Sequence, residues 1–227
     1  MRSRLLLSLL LLFSLSFTGC TGSTEKDQPP GEVTPSAPQP TGKTLVYDCL
    51  VEWDLVVKVD TRDAWLILPD TTVHLPRRRS ASGARFMSEG GDYMYWSKGD
   101  DAIIEIDDKS YGYCDLDPEE AVWQDAKFRG AAFRASGFEP GWHLELFPDT
   151  TTFVLDYGEY SFSAPTTEPD YNPDSTETVY QMNVADHHIS IRITAQECIA
   201  PSGKEFPSTT LLTVDDKTYR GCGRSFE

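Results

Sequence analysis

Cys49-Leu50-Val51-Glu52-Trp53-Asp54-Leu55-Val56-Val57-Lys58-Val59-Asp60 is the stretch on which the reading of the fold turns. Cys49, Val51, Trp53, Leu55, Val57 and Val59 share one parity, and Glu52, Asp54, Lys58 and Asp60 share the other. Successive side chains on a strand point to opposite faces, so this alternation predicts a half-buried strand with its charged set toward water. The same period recurs outward from it. Ala102, Ile104 and Ile106 alternate with Glu105 and Asp107, and Ile189, Ile191 and Ile193 with His188, Ser190, Arg192 and Thr194. Turn signals separate these runs at Leu68-Pro69-Asp70, Glu89-Gly90-Gly91-Asp92, Lys98-Gly99-Asp100 and Pro148-Asp149. Short strands at such spacing predict an all-β chain of small antiparallel barrels or sandwiches.

One helical candidate interrupts the pattern. Pro118 can open a turn of helix in Asp117-Pro118-Glu119-Glu120-Ala121-Val122-Trp123, with acids favoured near its N-terminus. This segment reads as the boundary between two units. The expected organisation is a β-barrel-like domain over residues 44–118, a linker over 119–126, and a second β domain over 127–227.

The 227-residue chain carries 36 acidic and 20 basic side chains, for a net charge of −16. Phosphates would be repelled, so nucleic acid is excluded as a partner. The amino terminus carries an address. Arg2 and Arg4 precede an apolar run from Leu5 to Phe17. As a helix that run spans about 20 Å, short of a hydrocarbon core of about 30 Å. It reads as a signal peptide, residues 1–19. Phe17-Thr18-Gly19-Cys20 resembles the lipobox of bacterial lipoproteins, which implies acylation of Cys20 with chains such as palmitate. Thr21 in place of Asp then implies sorting to the outer membrane, lipid-anchored and facing the periplasm. Residues 20–43 are rich in Pro, Ser and Thr and are expected to form a disordered tether.

Cys49, Cys114, Cys198 and Cys222 remain. Four cysteines in an exported chain allow three connectivities. Pairing Cys49 with Cys114 and Cys198 with Cys222 closes each unit on itself, each bond being worth roughly 3–4 kcal/mol. No catalytic constellation is present: there is no Gly-x-Ser-x-Gly elbow, glycine-rich phosphate loop or His-Glu-x-x-His. His187 and His188 are strand neighbours and point apart, a poor metal pair. Neither an enzyme nor a cofactor nor a metal is expected.

Residues 80–106, SASGARFMSEGGDYMYWSKGDDAIIEI, carry a more specific signature. Ser82-Gly83-Ala84-Arg85-Phe86 precedes Trp96-Ser97-Lys98-Gly99 and Ala102, with Tyr47-x-Cys49 upstream and Cys114 closing the unit. This order resembles the family of membrane-bound inhibitors of c-type lysozyme. Phe86 stands where that family usually has tyrosine, and the loop before Trp96 is a residue or two longer. The resemblance implies an eight-stranded barrel whose Ser82 and Lys98 reach the catalytic carboxylates of a c-type lysozyme, with Ser80, Gly83, Arg85 and Phe86 as flanking contacts. A hydroxyl can both donate and accept there, and an ammonium matches an ionised carboxylate. Arg77-Arg78-Arg79 are out of keeping with so acidic a unit. Trp65 is expected in the core, and Trp96 is expected to anchor the strand that carries Lys98.

Phe133 to Trp142, FRASGFEPGW, leads a second resemblance, to a bacterial lipoprotein domain of uncharacterised function. Cys198, Phe206-Pro207 and Gly221-Cys222 match its end, and no biochemical role comes with it. The rival to lysozyme inhibition is an envelope ligand-binding module without that activity.

Overall fold

The computed structural model describes residues 40–49 and 54–226. The signal peptide, Cys20, Trp53 and nearly all of the tether lie outside the described residues.

The first unit is a closed antiparallel barrel of eight strands in sequence order. They are β1 (Lys43–Asp48), β2 (Leu55–Val59), β3 (Asp63–Ile67), β4 (Thr72–Arg78), β5 (Ala84–Met87), β6 (Tyr93–Lys98), β7 (Asp101–Ile106) and β8 (Lys109–Leu116). Pairing of Tyr47 with Leu116 and Asp48 with Asp115 closes β1 onto β8 and removes the free edges. The interior is filled by Tyr47, Leu55, Val57, Leu66, Leu75, Phe86, Tyr95 and Ile104. Trp65 is buried, and the Cys49–Cys114 disulfide ties the chain before β2 to β8.

The alternation in β2 holds for Leu55 and Val57 on the inner face, but the charged face is not left to water. Lys58 is only 8% exposed. The cause is a helix lying on the outside of the barrel. α1 (Pro118–Phe128) places Asp125 Oδ1 at 3.7 Å from Lys58 Nζ and the Phe128 ring beneath the same ammonium. Thr44, on β1, donates its hydroxyl to Asp125 at 2.8 Å.

Residues 119–126, expected as a linker, therefore lie inside a helix of 11 residues. Its start follows the sequence. Asp117 is the N-cap and accepts the Glu120 N–H at 2.8 Å, Pro118 opens the first turn, and Glu119 and Glu120 sit at the positive end of the dipole. Its continuation depends on burial: Trp123 and Ala126 are covered, with Trp123 against Phe206 at a ring separation of 4.6 Å. Buried Glu120 receives Arg224 Nη2 at 2.5 Å and Lys204 Nζ at 2.7 Å, tying the helix to the second unit.

The second unit is a nine-stranded antiparallel half-barrel. Its strands are β9 (Phe133–Phe138), β10 (Gly141–Leu146), β11 (Thr150–Leu155), β12 (Tyr160–Pro165), β13 (Asp170–Asn172), β14 (Glu177–Val184), β15 (His187–Thr194), β18 (Ser208–Val214) and β19 (Lys217–Ser225). The spatial order is β12-β11-β10-β9-β19-β18-β15-β14-β13, so the last strand returns beside the first of the unit. A two-stranded piece, β16 (Cys198–Ile199) with β17 (Glu205–Phe206), carries Cys198 to its disulfide with Cys222. Phe133, Trp142, Leu144, Phe153, Met182, Ile189, Ile191 and Leu212 form the core. Trp142 fills the corner after Pro140: its indole N–H donates to the Arg220 carbonyl at 3.2 Å, and it passes over Gly137 and Gly221, where a Cβ would stand 2.2 Å and 2.9 Å from indole atoms.

Candidate functional site

Ser82 and Lys98 lie on the same side of the barrel. Together with Trp96, Asp101, Ala102 and Ile103 they line a cavity of about 380 Å³. Three local features hold them there. Strands β5 and β6 pair Ala84 with Ser97 and Arg85 with Trp96, bringing the loop before β5 beside the end of β6. The Trp96 indole N–H donates to the Ser82 carbonyl at 2.9 Å, and the Ser80 hydroxyl to the Gly83 carbonyl at 3.0 Å. Gly83 adopts φ +68°, and a Cβ there would lie 2.2 Å from the Ser97 carbonyl oxygen. Only glycine fits so close a backbone approach. Ser82 and Lys98 are both exposed, and among the described residues Lys98 makes no ion pair. The edge thus offers a free hydroxyl and a free ammonium on rigid backbone.

The flanking candidates divide. Arg85 stands opposite Trp96 on the outer face and turns its Nε toward Met94 Sδ at 3.2 Å. Arg77, Arg78, Arg79, Ser80 and Gly83 line an adjoining hollow of about 440 Å³. Arg77 is held by the Thr61 carbonyl at 2.9 Å and lies over the Phe86 ring. Phe86 itself is not on this edge. At 1% exposure it points into the barrel, stacked on Tyr95, because its parity on β5 is the inner one. It supports the site from behind. Below it, the Tyr47 and Tyr95 hydroxyls share a hydrogen bond of 2.7 Å, and burial pushes both phenols above their ordinary range.

Other sequence candidates lie elsewhere. His187 bonds to Asp215 and His188 to Asn183, both exposed on the second unit. Among the described residues no group of three His, Cys, Asp or Glu is placed to hold a metal ion, and no helix is long and apolar enough to cross a membrane. Sequence reasoning missed a buried ionic cluster. Glu145 accepts both terminal nitrogens of Arg129 at 2.7 Å each and also receives Arg134. Arg134 and Glu145 are direct partners in the β9–β10 register, a signal open to anyone who folds that hairpin about Pro140.

Comparison with known proteins bears on the barrel. Residues 47–111 match the family described as membrane-bound lysozyme-inhibitor of c-type lysozyme. The family resemblance read from the sequence motifs holds for this unit. A curated relative from Yersinia enterocolitica serotype O:8 / biotype 1B (strain NCTC 13174 / 8081), named membrane-bound lysozyme inhibitor of C-type lysozyme, is 36% identical over 72 residues. That alignment takes in 31% of this chain and 60% of the relative, so the chain spans about three fifths of the length of the protein it matches. No solved structure matches the chain.

Proposed function

We propose that the barrel inhibits c-type lysozyme by seating the Ser82–Lys98 edge in the catalytic cleft. The supporting observation is the shared cavity: the two side chains that the family motifs single out lie side by side on one rigid edge. C-type lysozyme works with a protonated acid and an ionised carboxylate partner. The Ser82 hydroxyl suits the first and the Lys98 ammonium the second, through charge-assisted hydrogen bonds. Arg78 and Arg79 line the adjoining hollow with Ser80 and Gly83 and add positive charge beside Ser82. Inhibition is then occupancy: neither glycan nor water reaches the acid pair, and the inhibitor performs no chemistry of its own. In this reading residues 44–118 carry the activity, and Cys20 holds the protein, through its acyl chains, on the periplasmic side of the outer membrane.

A turbidity assay with a c-type lysozyme tests the inhibition. Wild-type chain blocks lysis at micromolar concentration or below. Ser82→Ala and Lys98→Ala each weaken inhibition by about 1–3 kcal/mol, the scale of a lost hydrogen bond to a charged group. Wild-type inhibition by both variants would overturn the edge as the contact. The anchor has its own test: labelled palmitate enters the wild-type protein in cells and is lost in Cys20→Ala, which leaves the membrane fraction.

A further inference from the structure

A second cavity, about twice the size of the one at the barrel edge, lies elsewhere among the described residues. It lies where α1 and β1 face β9, β10 and β11, and encloses about 800 Å³. That is within the usual range for small-molecule sites. Its walls are apolar: Leu45, Leu116, Pro118, Ala121, Val122 and Val154. Its floor is ionic, and the acceptors there are already taken. Glu145 is engaged by Arg129 and Arg134, and Asp125 by Thr44, by Lys58 and by Arg129 Nε at 2.9 Å.

Donors remain unspent. The Arg134 side chain is only 9% exposed and lies over the Trp123 ring, and its Nε–H finds no acceptor. Burial, with the Arg134 charge next in effect, holds His143 below its ordinary range, so the cavity gains a neutral imidazole and not another cation. Lys43 at the rim makes no ion pair among the described residues. The lining therefore holds three cations, Lys43, Arg129 and Arg134, against two carboxylates, Asp125 and Glu145. This is a local positive excess in a chain of net charge −16. A buried guanidinium with one N–H unpaired has room for a further anionic oxygen, and the walls above it suit hydrocarbon.

We propose that this cleft binds an amphipathic anion, an apolar chain ending in a carboxylate or phosphate head, with the head toward Arg134 and the chain along Val122 and Leu116. The proposal stands apart from lysozyme inhibition and uses none of the residues of the barrel edge.

Isothermal titration calorimetry of the full chain tests it, with dodecanoate and dodecyl phosphate kept below their micelle concentrations. At least one should show a single saturable site, and binding by one alone fixes the head group. Dodecyltrimethylammonium, with the same chain and the opposite charge, and inorganic phosphate, with no chain, should each bind at least tenfold more weakly. Val122→Asp places a carboxylate on an exposed wall position and should weaken the anion at least tenfold while leaving the circular dichroism melt and the lysozyme assay unchanged. The proposal is overturned if neither anion saturates a site, if the cationic amphiphile binds equally well, or if Val122→Asp binds like wild type.

Discussion

Gly83 shows how much one residue of the edge constrains its neighbours. Its φ of +68° favours glycine, and the Ser97 carbonyl stands where a Cβ would go. Ser82, one residue earlier, is fixed only by its own backbone, through the bond from Trp96. A methyl at position 83 must therefore move either the loop that bears Ser82 or the strand that bears Lys98. Gly83→Ala should cost about 1–3 kcal/mol, through the strained φ and the contact together. Urea denaturation measures that loss. If the Ser82–Lys98 edge is the contact proposed above, the lysozyme assay should show weaker inhibition even where the variant remains fully folded, because the two side chains no longer share one cavity. Unchanged inhibition by folded Gly83→Ala would show that the spacing of Ser82 and Lys98 is not what the target reads.

At the scale of elements, α1 is the piece whose placement depends most on charge. Asp125 joins it to Thr44 and Lys58 of the barrel, and Arg129, at its C-terminal end, grips Glu145 on β10. Both carboxyls are held below their ordinary values despite the opposing effect of burial: Glu145 chiefly by its bond from Arg129 and the charge of Arg134, Asp125 by Arg129, Thr44 and Lys58. The ordinary values are 4.5 and 3.8. A carboxyl with a depressed folded pKa contributes stability that is whole above its unfolded value and is lost as pH falls toward the folded one. The chain should thus lose stability progressively below about pH 4.5, measured as a falling urea midpoint between pH 5 and pH 3. Glu145→Gln leaves two guanidiniums facing a neutral amide. It should cost about 3 kcal/mol at pH 7 and flatten the acid slope, since one of the responsible protons is gone. The strands around α1 were legible because period two survives in Leu55, Val57, Ala102, Ile104, Ile189 and Ile191, whose burial needs only a core on one side. The helix was legible at its start, where Asp117 and Pro118 are local signals, and not in its extent, which rests on the distant partners Phe206, Arg224 and Lys204. Lys58 misled for the same reason: nothing near it in sequence announces that Asp125 and Phe128 will cover it. Ser82 and Lys98 were singled out by motif order, and the fold brings them to one cavity, whereas the cavity over Arg134 needs three separated segments and has no linear signature.

The whole molecule combines two scales of charge with opposite signs. Its net charge is −16, yet the Ser82 edge presents Lys98 with Arg78 and Arg79 close by. On the proposed reading, and with c-type lysozyme a basic enzyme, the first supplies long-range attraction and the second short-range complementarity to the acidic centre of its cleft. The two respond differently to salt. At ionic strength near 0.1 M the screening length is about 10 Å, so steering across the approach distance is already weakened, and at 1 M it is about 3 Å. Contacts in a cleft closed to water are screened far less. The association rate of the chain with c-type lysozyme should therefore fall by roughly tenfold or more between 10 mM and 500 mM salt, while the dissociation rate changes little. Surface plasmon resonance across that series separates the two. Lys98→Ala should do the reverse, raising the dissociation rate and leaving the salt slope of association nearly as it was, because one charge hardly alters a net of −16. An association rate indifferent to salt would remove the steering role of the acidic surface, and a Lys98→Ala effect confined to association would place Lys98 at the rim of the interface, outside the cleft.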